Sequence, residues 1–156
     1  MGRIGTAVAR KASYGFGMKV LGYRRNLPGD ICADYGILTS DLDKVIRNSD
    51  FLSIHLPYTK DTFHLVSCEK LELMKPDAYL LNLGRGEVVD QAALRELLLS
   101  NRLAGAALDV FEGEILDADD PLLHMDQVIA TPHIAGLSKQ AMERLSYQPL
   151  WALQRC

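Results

Sequence analysis

The stretch Gly2-Arg3-Ile4-Gly5, near the start of the chain, decides the fold that we expect. Two glycines three residues apart stand directly before residues 6–14, whose apolar spacing predicts a helix. Residues 19–23 then form a β-rich run, Lys-Val-Leu-Gly-Tyr, which predicts a strand. A glycine loop that leads into a helix and then into a strand is part of a βαβ arrangement, and therefore predicts a parallel sheet.

The alternation of strand and helix patterns continues along the rest of the chain. Helices are predicted to begin near Ser40, with Asp43 completing a capping-box variant, near Ser67 and at Asp90. A last helix is predicted over residues 138–153, where Pro149 should kink or end it. Four more strands are expected, over residues 51–55, 78–82, 105–109 and 128–130. The fold class that we predict is α/β, with a doubly wound parallel sheet of the Rossmann type.

The opening glycines are similar to the last two glycines of Gly-x-Gly-x-x-Gly. In that loop the second glycine lets the backbone approach a pyrophosphate, and the third lets helix and strand pack closely. The helix that follows offers free N–H groups and a partial positive charge to the phosphates. Gly2, Arg3, Ile4 and Gly5 are therefore candidate cofactor-binding residues, and the alternative is an ordinary glycine-rich start.

The first glycine of this loop, and the strand before it, would lie ahead of Met1. In the strand order 3-2-1-4-5-6 that first strand is central, so both of its neighbours would be left with an unpaired edge. We therefore expect residues 1–147 to form a dinucleotide-binding domain that is incomplete at its N-terminus. We also expect this chain alone to be poorly stable.

Two arginines bear on the choice of nucleotide. The second strand of the fold usually ends in an acidic residue that binds the adenosine ribose of NAD, but here Arg24 and Arg25 follow residues 19–23. A carboxylate would repel a 2′-phosphate, whereas guanidinium groups attract it. The sequence therefore favours NADP(H) over NAD(H), and the alternative is that the arginines are solvated charges.

Three polar side chains stand in local frames that indicate chemistry. Arg85 lies in Asn-Leu-Gly-Arg-Gly, Glu114 in Asp-Val-Phe-Glu-Gly-Glu, and His133 in Thr-Pro-His-Ile-Ala-Gly. A guanidinium holds a carboxylate with a bidentate fork. An imidazole passes a proton to or from an oxygen, and a nearby carboxylate keeps the imidazole charged and oriented. These are the groups that a nicotinamide enzyme acting on a 2-hydroxy or 2-keto acid requires, although each residue type alone is more often structural.

The order and the flanking residues closely resemble the D-isomer-specific 2-hydroxyacid dehydrogenases, from Gly2 to about residue 147. The resemblance implies that Arg85 binds the substrate carboxylate, and that Glu114, favoured over Glu112 by the frame Asp-x-Phe-x-x-Glu, assists the acid/base His133. It further implies two groups of cofactor contacts: Asp109 accepts a hydrogen bond from the nicotinamide carboxamide, and Leu56 and Pro57 pack along the adenosine side.

The resemblance also bears on what the chain does and lacks. It implies hydride transfer between NAD(P)H and a small 2-keto or 2-hydroxy acid, as in a glyoxylate or hydroxypyruvate reductase. It also implies that the protein is a homodimer. We expect the substrate domain of that family to be absent from residues 1–156, and residues 148–156 to begin an atypical tail. Two alternatives stay open: a nucleotide-responsive dimerisation module similar to the corepressors of this fold, and an inactive truncated product.

Composition narrows the class of protein further. The 156 residues have room for one domain, and a net charge of −3 argues against binding to nucleic acid. No apolar run approaches the roughly 18 residues of a membrane span, and the start lacks the layout of a signal peptide. The three cysteines, Cys32, Cys68 and Cys156, are scattered without metal-ligand spacing. We expect a cytoplasmic protein without a metal site.

Overall fold

Helices and strands alternate along the chain in the computed structural model, which describes residues 2–23, 37–113 and 116–143. The helices are α1 (Arg3–Phe16), α2 (Leu42–Asn48), α3 (Cys68–Leu71) and α4 (Gln91–Leu99). The strands are β1 (Val20–Gly22), β2 (Ile37–Thr39), β3 (Phe51–Ile54), β4 (Tyr79–Asn82), β5 (Gly105–Leu108) and β6 (Val128–Ala130). Short 3-10 turns cover Gly86–Val88 and Pro121–Leu123.

Every strand pair is parallel. One sheet has the order β3-β4-β5-β6, and the other pairs β1 with β2. In the larger sheet Ile54, Asn82, Leu108 and Ala130 lie side by side across the four strands. The loops that follow these residues therefore leave the sheet at one common edge. The predicted α/β class with a parallel sheet is confirmed.

β1 and β3 each have one open edge in the part of the chain that the structure describes. β1 pairs only with β2, and β3 pairs only with β4. These are the two edges expected when the central strand of the order 3-2-1-4-5-6 is left out. The sheet therefore consists of two pieces rather than one continuous surface.

The main core lies on one face of the four-stranded sheet. Alternate residues of β3 and β4, such as Leu52 and Leu80, are buried, whereas their neighbours Phe51 and Tyr79 stand exposed on the other face, where their rings stack. Helices α2 and α4 bury one side against the buried face, because apolar residues recur at helical spacing in each, and the short α3 adds Leu71. The residues that they contribute include Val45, Ile46, Leu71, Leu94, Leu97 and Leu98.

The two-stranded sheet has a much smaller core. Among the described residues, Ala9 of α1 and Ile37 of β2 form its buried cluster, with Val20 packed against them. The apolar side chains of Ile4 and Phe16 on α1 are 67% and 81% exposed. Leu21 of β1 and the adjacent Tyr23 pack against the main core instead, so in the described residues the two-stranded sheet gains little stabilisation from a core of its own.

The structure corrects several predicted elements. A sixth strand, β2, was missed because three residues between turn signals carry too little periodicity to be recognised. The helix predicted from Ser40 begins after Asp41, whose carboxylate accepts a hydrogen bond from the backbone N–H of Lys44, so the capping box was wrong. The helix after Ser67 ends at Leu71 rather than at residue 74. The N-cap role predicted for Asp90 is confirmed.

The last predicted helix is described only at its start. Residues 139–143 are helical, and the rest of the predicted range, with Pro149, lies outside the described residues. None of the described helices is long and apolar enough to cross a membrane.

Candidate active site

Four of the predicted site residues follow neighbouring strands at the common edge of the larger sheet. Leu56 follows β3, Arg85 follows β4, Asp109 follows β5 and His133 follows β6, each within three residues of the strand end. Ligands in open α/β sheets bind at the carboxyl ends of the strands. The topology therefore brings these four residues to the edge where a ligand is expected.

Asn82, the last residue of β4, shapes the turn that carries Arg85. Its side chain is buried, its Oδ1 accepts a hydrogen bond from the N–H of Gly84, and its Nδ2 donates to the carbonyl oxygen of Arg85. The guanidinium of Arg85 is exposed and donates from Nη1 to the Gly84 carbonyl at 2.7 Å. The backbone of this turn is fixed, while the cation remains free to meet an anion from solvent.

The glycines on either side of Arg85 permit contacts with two other loops. A Cβ on Gly84 would lie 2.8 Å from the carbonyl oxygen of Leu56. A Cβ on Gly86 would lie 2.0 Å from the carbonyl carbon of Phe111, which is far inside van der Waals contact. The loop of Arg85 is therefore packed between the loops that follow β3 and β5.

Asp109 holds the loop that carries His133. Its Oδ1 accepts hydrogen bonds from Oγ1 of Thr131 at 2.5 Å and from the N–H of Ile134 at 2.8 Å. Its Oδ2 accepts a third from the N–H of Ala135 at 2.9 Å. These bonds bracket His133, whose φ of 54° lies in the left-handed region that residues other than glycine seldom adopt. The carboxylate thus stabilises a backbone conformation that is unfavourable by itself.

The pKa of Asp109 reflects this role. Burial by itself raises the pKa of the carboxyl, but the hydrogen bonds from Thr131, Ala135 and Ile134, together with the charge of His133, outweigh it and lower the pKa below its ordinary value. Asp109 is therefore a carboxylate at neutral pH. Its Oδ2 accepts one described hydrogen bond, which leaves room for a further donor such as an amide.

The glycine loop suits an anionic ligand. Gly2 is the N-cap of α1, with no side chain closing the helix end and no acidic residue in the first turn. A Cβ on Gly2 would meet nothing within 4 Å, so the space beside it is open. Gly5 is buried, as close packing of the helix requires, whereas Arg3 and Ile4 are exposed. The exposed N–H groups and the helix dipole fit a phosphate group.

A cavity of about 400 Å³ lies between the end of β1 and the loop after β3. It is lined by Tyr23, Leu56, Asp61, Thr62 and Leu65. Pro57 is exposed next to Leu56, and its carbonyl accepts a hydrogen bond from Oγ1 of Thr62 that shapes the loop. The apolar lining suits the flat rings of a nucleotide. Arg24 and Arg25, which follow Tyr23, lie outside the described residues.

Glu114, the predicted catalytic glutamate, also lies outside the described residues. Its local competitor, Glu112, accepts a hydrogen bond at Oε1 from Nε2 of His64 at 2.9 Å. This pair could not be predicted from local sequence patterns, because the two residues are 48 positions apart. Glu112 thus has a described partner other than His133.

His55, the residue after β3, makes a local hydrogen bond. Its Nε2 lies 2.8 Å from Oγ of Ser53, and burial lowers the pKa of the imidazole. Among the described residues, no group of three or more acidic, histidine or cysteine side chains is placed to hold a metal ion.

The parallel sheet, the glycine loop at the start of α1 and the convergence of loops at one edge define a dinucleotide-binding domain. The profile of the family described as D-isomer specific 2-hydroxyacid dehydrogenase, NAD binding domain, matches residues 1–135. The chain therefore belongs to this family, which confirms the resemblance seen in the sequence.

Individual relatives agree with this assignment. The chain is 46% identical over 140 residues to a glyoxylate/hydroxypyruvate reductase B of Pectobacterium carotovorum, with 90% of the chain and 44% of the relative covered. It matches the solved structure of the Aquifex aeolicus D-lactate dehydrogenase complexed with NAD and lactic acid, with a TM-score of 0.86 and 36% identity. An acyclic imino acid reductase in complex with NADPH and D-Arg matches with a TM-score of 0.84 and 36% identity.

These matches cover nearly all of this chain but only part of each relative. The two solved structures match 98% and 96% of this chain, but the chain spans only 50% and 46% of theirs. The chain thus spans about half the length of the relatives that it matches.

Proposed function

We propose that the full-length protein is an NAD(P)-dependent 2-hydroxyacid dehydrogenase of the glyoxylate or hydroxypyruvate reductase type, and that residues 1–147 are its dinucleotide-binding domain. The observation that carries this proposal is the shared edge of the sheet. There the loops of Arg85 and His133 are fixed by the buried side chains of Asn82 and Asp109. The similarity to a glyoxylate/hydroxypyruvate reductase B supports the substrate class.

The chain's own residues divide the work of binding and proton transfer. Arg85 binds the substrate carboxylate through its guanidinium, which the structure leaves exposed. His133 gives a proton to the C2 oxygen of a keto acid during reduction and takes it back during oxidation. Glu114 keeps the imidazole charged and oriented. The nicotinamide, when bound, supplies the hydride that C2 receives.

The nucleotide is held along the same edge. Gly2, Arg3, Ile4 and Gly5 offer the N-terminus of α1 to the pyrophosphate. Leu56 and Pro57 border the adenosine side, and Asp109 accepts a hydrogen bond from the carboxamide through the remaining capacity of its Oδ2.

The nucleotide that we favour is NADP(H), because Arg24 and Arg25 replace the acid that would bind the ribose hydroxyls of NAD. The relatives with bound nucleotide include one with NAD and one with NADPH. In the full-length protein, Arg24→Asp should shift the ratio of catalytic efficiencies toward NADH. An unchanged ratio would assign the arginines to the solvated surface.

The function is tested by assaying the full-length protein with NADPH and NADH against glyoxylate and hydroxypyruvate. His133→Ala should lower kcat by a factor of about 10²–10⁴, the range for a general acid/base. Arg85→Ala should mainly raise KM. Asp77→Asn, an exposed carboxylate before β4 without an assigned role, is the control and should leave both constants near those of the wild type. Unimpaired turnover in the His133 variant would rule out its role.

Two further properties are part of this proposal. The full-length protein should be a homodimer, as the resemblance implies, and it should be cytoplasmic. Light scattering of the purified protein tests the first property, and fractionation of source cells tests the second.

A further inference from the structure

The turn that follows Arg85 is enclosed by two other segments of the chain. On one side, a Cβ on Gly86 would lie 2.0 Å from the carbonyl of Phe111 and 2.4 Å from the backbone nitrogen of Glu112. On the other side, the N–H of His64 donates to the carbonyl of Glu87 at 2.8 Å, and that of Val66 donates to the carbonyl of residue 88 at 3.0 Å. We call this arrangement of residues 64–66, 86–88 and 111–112 the clasp.

A pair of polar side chains closes the clasp. Nε2 of His64 donates to Oε1 of Glu112 at 2.9 Å and joins the two segments that enclose the turn. The ring of His64 stacks on Phe63 with 4.0 Å between the ring centroids. Glu112 is fixed a second time, because its N–H donates to Oε1 of Gln91 at the start of α4.

The strain in the backbone of His64 indicates that this arrangement is specific. Its φ of 45° lies in the left-handed region, which residues other than glycine seldom adopt. Such a conformation persists where surrounding contacts hold it. Two hydrogen bonds hold His64 in this conformation. Its backbone N–H donates to the carbonyl of Glu87, and its side chain donates to Glu112.

We propose that His64 and Glu112 are a positioning pair that sets the place of Arg85, and thereby the affinity for the substrate carboxylate. The proposal rests on the function proposed above. Neither residue touches the substrate: the pair acts through the clasp, because Gly86 is adjacent to Arg85 and is held directly against the peptide that carries Glu112. A bidentate contact tolerates little displacement, so a looser clasp weakens binding of the carboxylate.

The test uses the full-length protein with glyoxylate and NADPH. His64→Leu and Glu112→Ala should each raise KM for glyoxylate about tenfold, the effect of losing one hydrogen bond to a charged group. The dissociation constant of NADPH should stay unchanged and kcat should change much less than KM, since the phosphate loop and His133 lie outside the clasp. The double variant should be no worse than either single variant, because both break the same contact.

Conservative and control variants separate positioning from a general loss of structure. His64→Gln keeps a donor for the carboxylate and should restore most of the affinity for glyoxylate. Asp50→Ala breaks the bond between Lys75 and Asp50, a comparable pair before the start of β3 at the opposite edge of the sheet, and should leave KM unchanged. Amide hydrogens of residues 88 and 89, which bond to the carbonyls of Arg85 and Gly86, should exchange faster in His64→Leu.

The outcomes distinguish this role from the proposed function. An active wild type with unchanged KM in His64→Leu and Glu112→Ala would overturn the positioning role alone. Additive effects in the double variant, or an equal rise of KM in Asp50→Ala, would also overturn it. A wild type that reduces no keto acid would overturn the proposed function and this role with it.

Discussion

The four-stranded half of the domain (residues 42–135) and its two-stranded half (residues 2–23 and 37–39) are held together in different ways. In the four-stranded half, one large apolar cluster lies under the sheet, and loop-to-loop contacts join the strand ends at the site. In the two-stranded half, Ala9 and Ile37 form the described buried cluster, and one edge of β1 is open. The residues proposed for proton transfer and substrate binding lie in the first half, and the phosphate loop lies in the second.

This difference indicates where the active site is prearranged. The turn of Arg85 and the loop of His133 are fixed by the buried polar side chains of Asn82 and Asp109. Within the described ranges, no side chain closes the start of α1, and this helix packs mainly on β1. Substitutions should therefore have large effects in the four-stranded half and small ones in the other.

The largest effect is expected for Gly86→Ala. Its Cβ would meet the carbonyl of Phe111 at 2.0 Å, and backbone atoms cannot yield as a flexible side chain does. We expect a loss of about 3 kcal/mol or more in the free energy of unfolding, at the upper end for overpacking. The measurement is urea unfolding followed by circular dichroism.

Gly15→Ala in α1 is the matched control for this substitution. A Cβ on Gly15 meets nothing within 4 Å, so alanine should stabilise the helix by up to about 1 kcal/mol. Equal effects of the two substitutions would contradict the contrast between the two halves.

A pair of leucines gives the next largest effect. Leu80 of β4 is fully buried, and Leu80→Ala should cost about 3 kcal/mol through lost burial and a cavity. Leu38 of β2 is 66% exposed, and Leu38→Ala should cost about 0.5 kcal/mol or less. Urea unfolding of the full-length protein measures both. A large loss in the Leu38 variant would show that the two-stranded half has a core that we have not recognised.

Asp109→Asn should have a smaller effect that depends on pH. The NH2 group of the new amide would face one of the N–H or O–H groups that now donate to the carboxylate. This contact between two donors should lower the free energy of unfolding by about 2 kcal/mol at neutral pH. Since folding lowers the pKa of Asp109, its contribution is present above the ordinary value of 3.8 and is lost as the pH falls through the lower folded value. The difference in stability between wild type and variant should therefore shrink toward acid.

Unfolding experiments between pH 7 and pH 3 test this dependence. Asp50→Asn is the control, because its carboxylate is exposed and its described ion pair, with Lys75, lies at the surface. A difference between wild type and the Asp109 variant that stays constant with pH would contradict the role given to the charge.

The sequence predicted those parts of the molecule that depend on local patterns. Arg85 and His133 could be recognised because their neighbours form readable frames, and β6 covers the residues over which it was predicted, 128–130. The N-cap of α4 at Asp90 was predicted for the same reason.

Long-range contacts could not be predicted in this way. Several hydrogen bonds at the site join residues that are distant in sequence. His64 bonds to Glu112, and Asp109 accepts hydrogen bonds from the loop of His133. Nothing in the local frame of Asp109 indicates three donors from the next loop, since they arrive only when β5 and β6 pair. The shift of the helix start from Ser40 to Asp41 shows the same limit at short range, because two capping residues stand side by side.

The most direct test of the contrast between the halves is amide hydrogen exchange on the 156-residue chain, read by mass spectrometry of peptides. We predict slow exchange in peptides from β3, β4 and β5, whose amides bond within the four-stranded sheet, and exchange close to that of an unfolded chain in peptides from α1 and β1. Equal protection of both sets, lost together in one cooperative transition, would contradict the account.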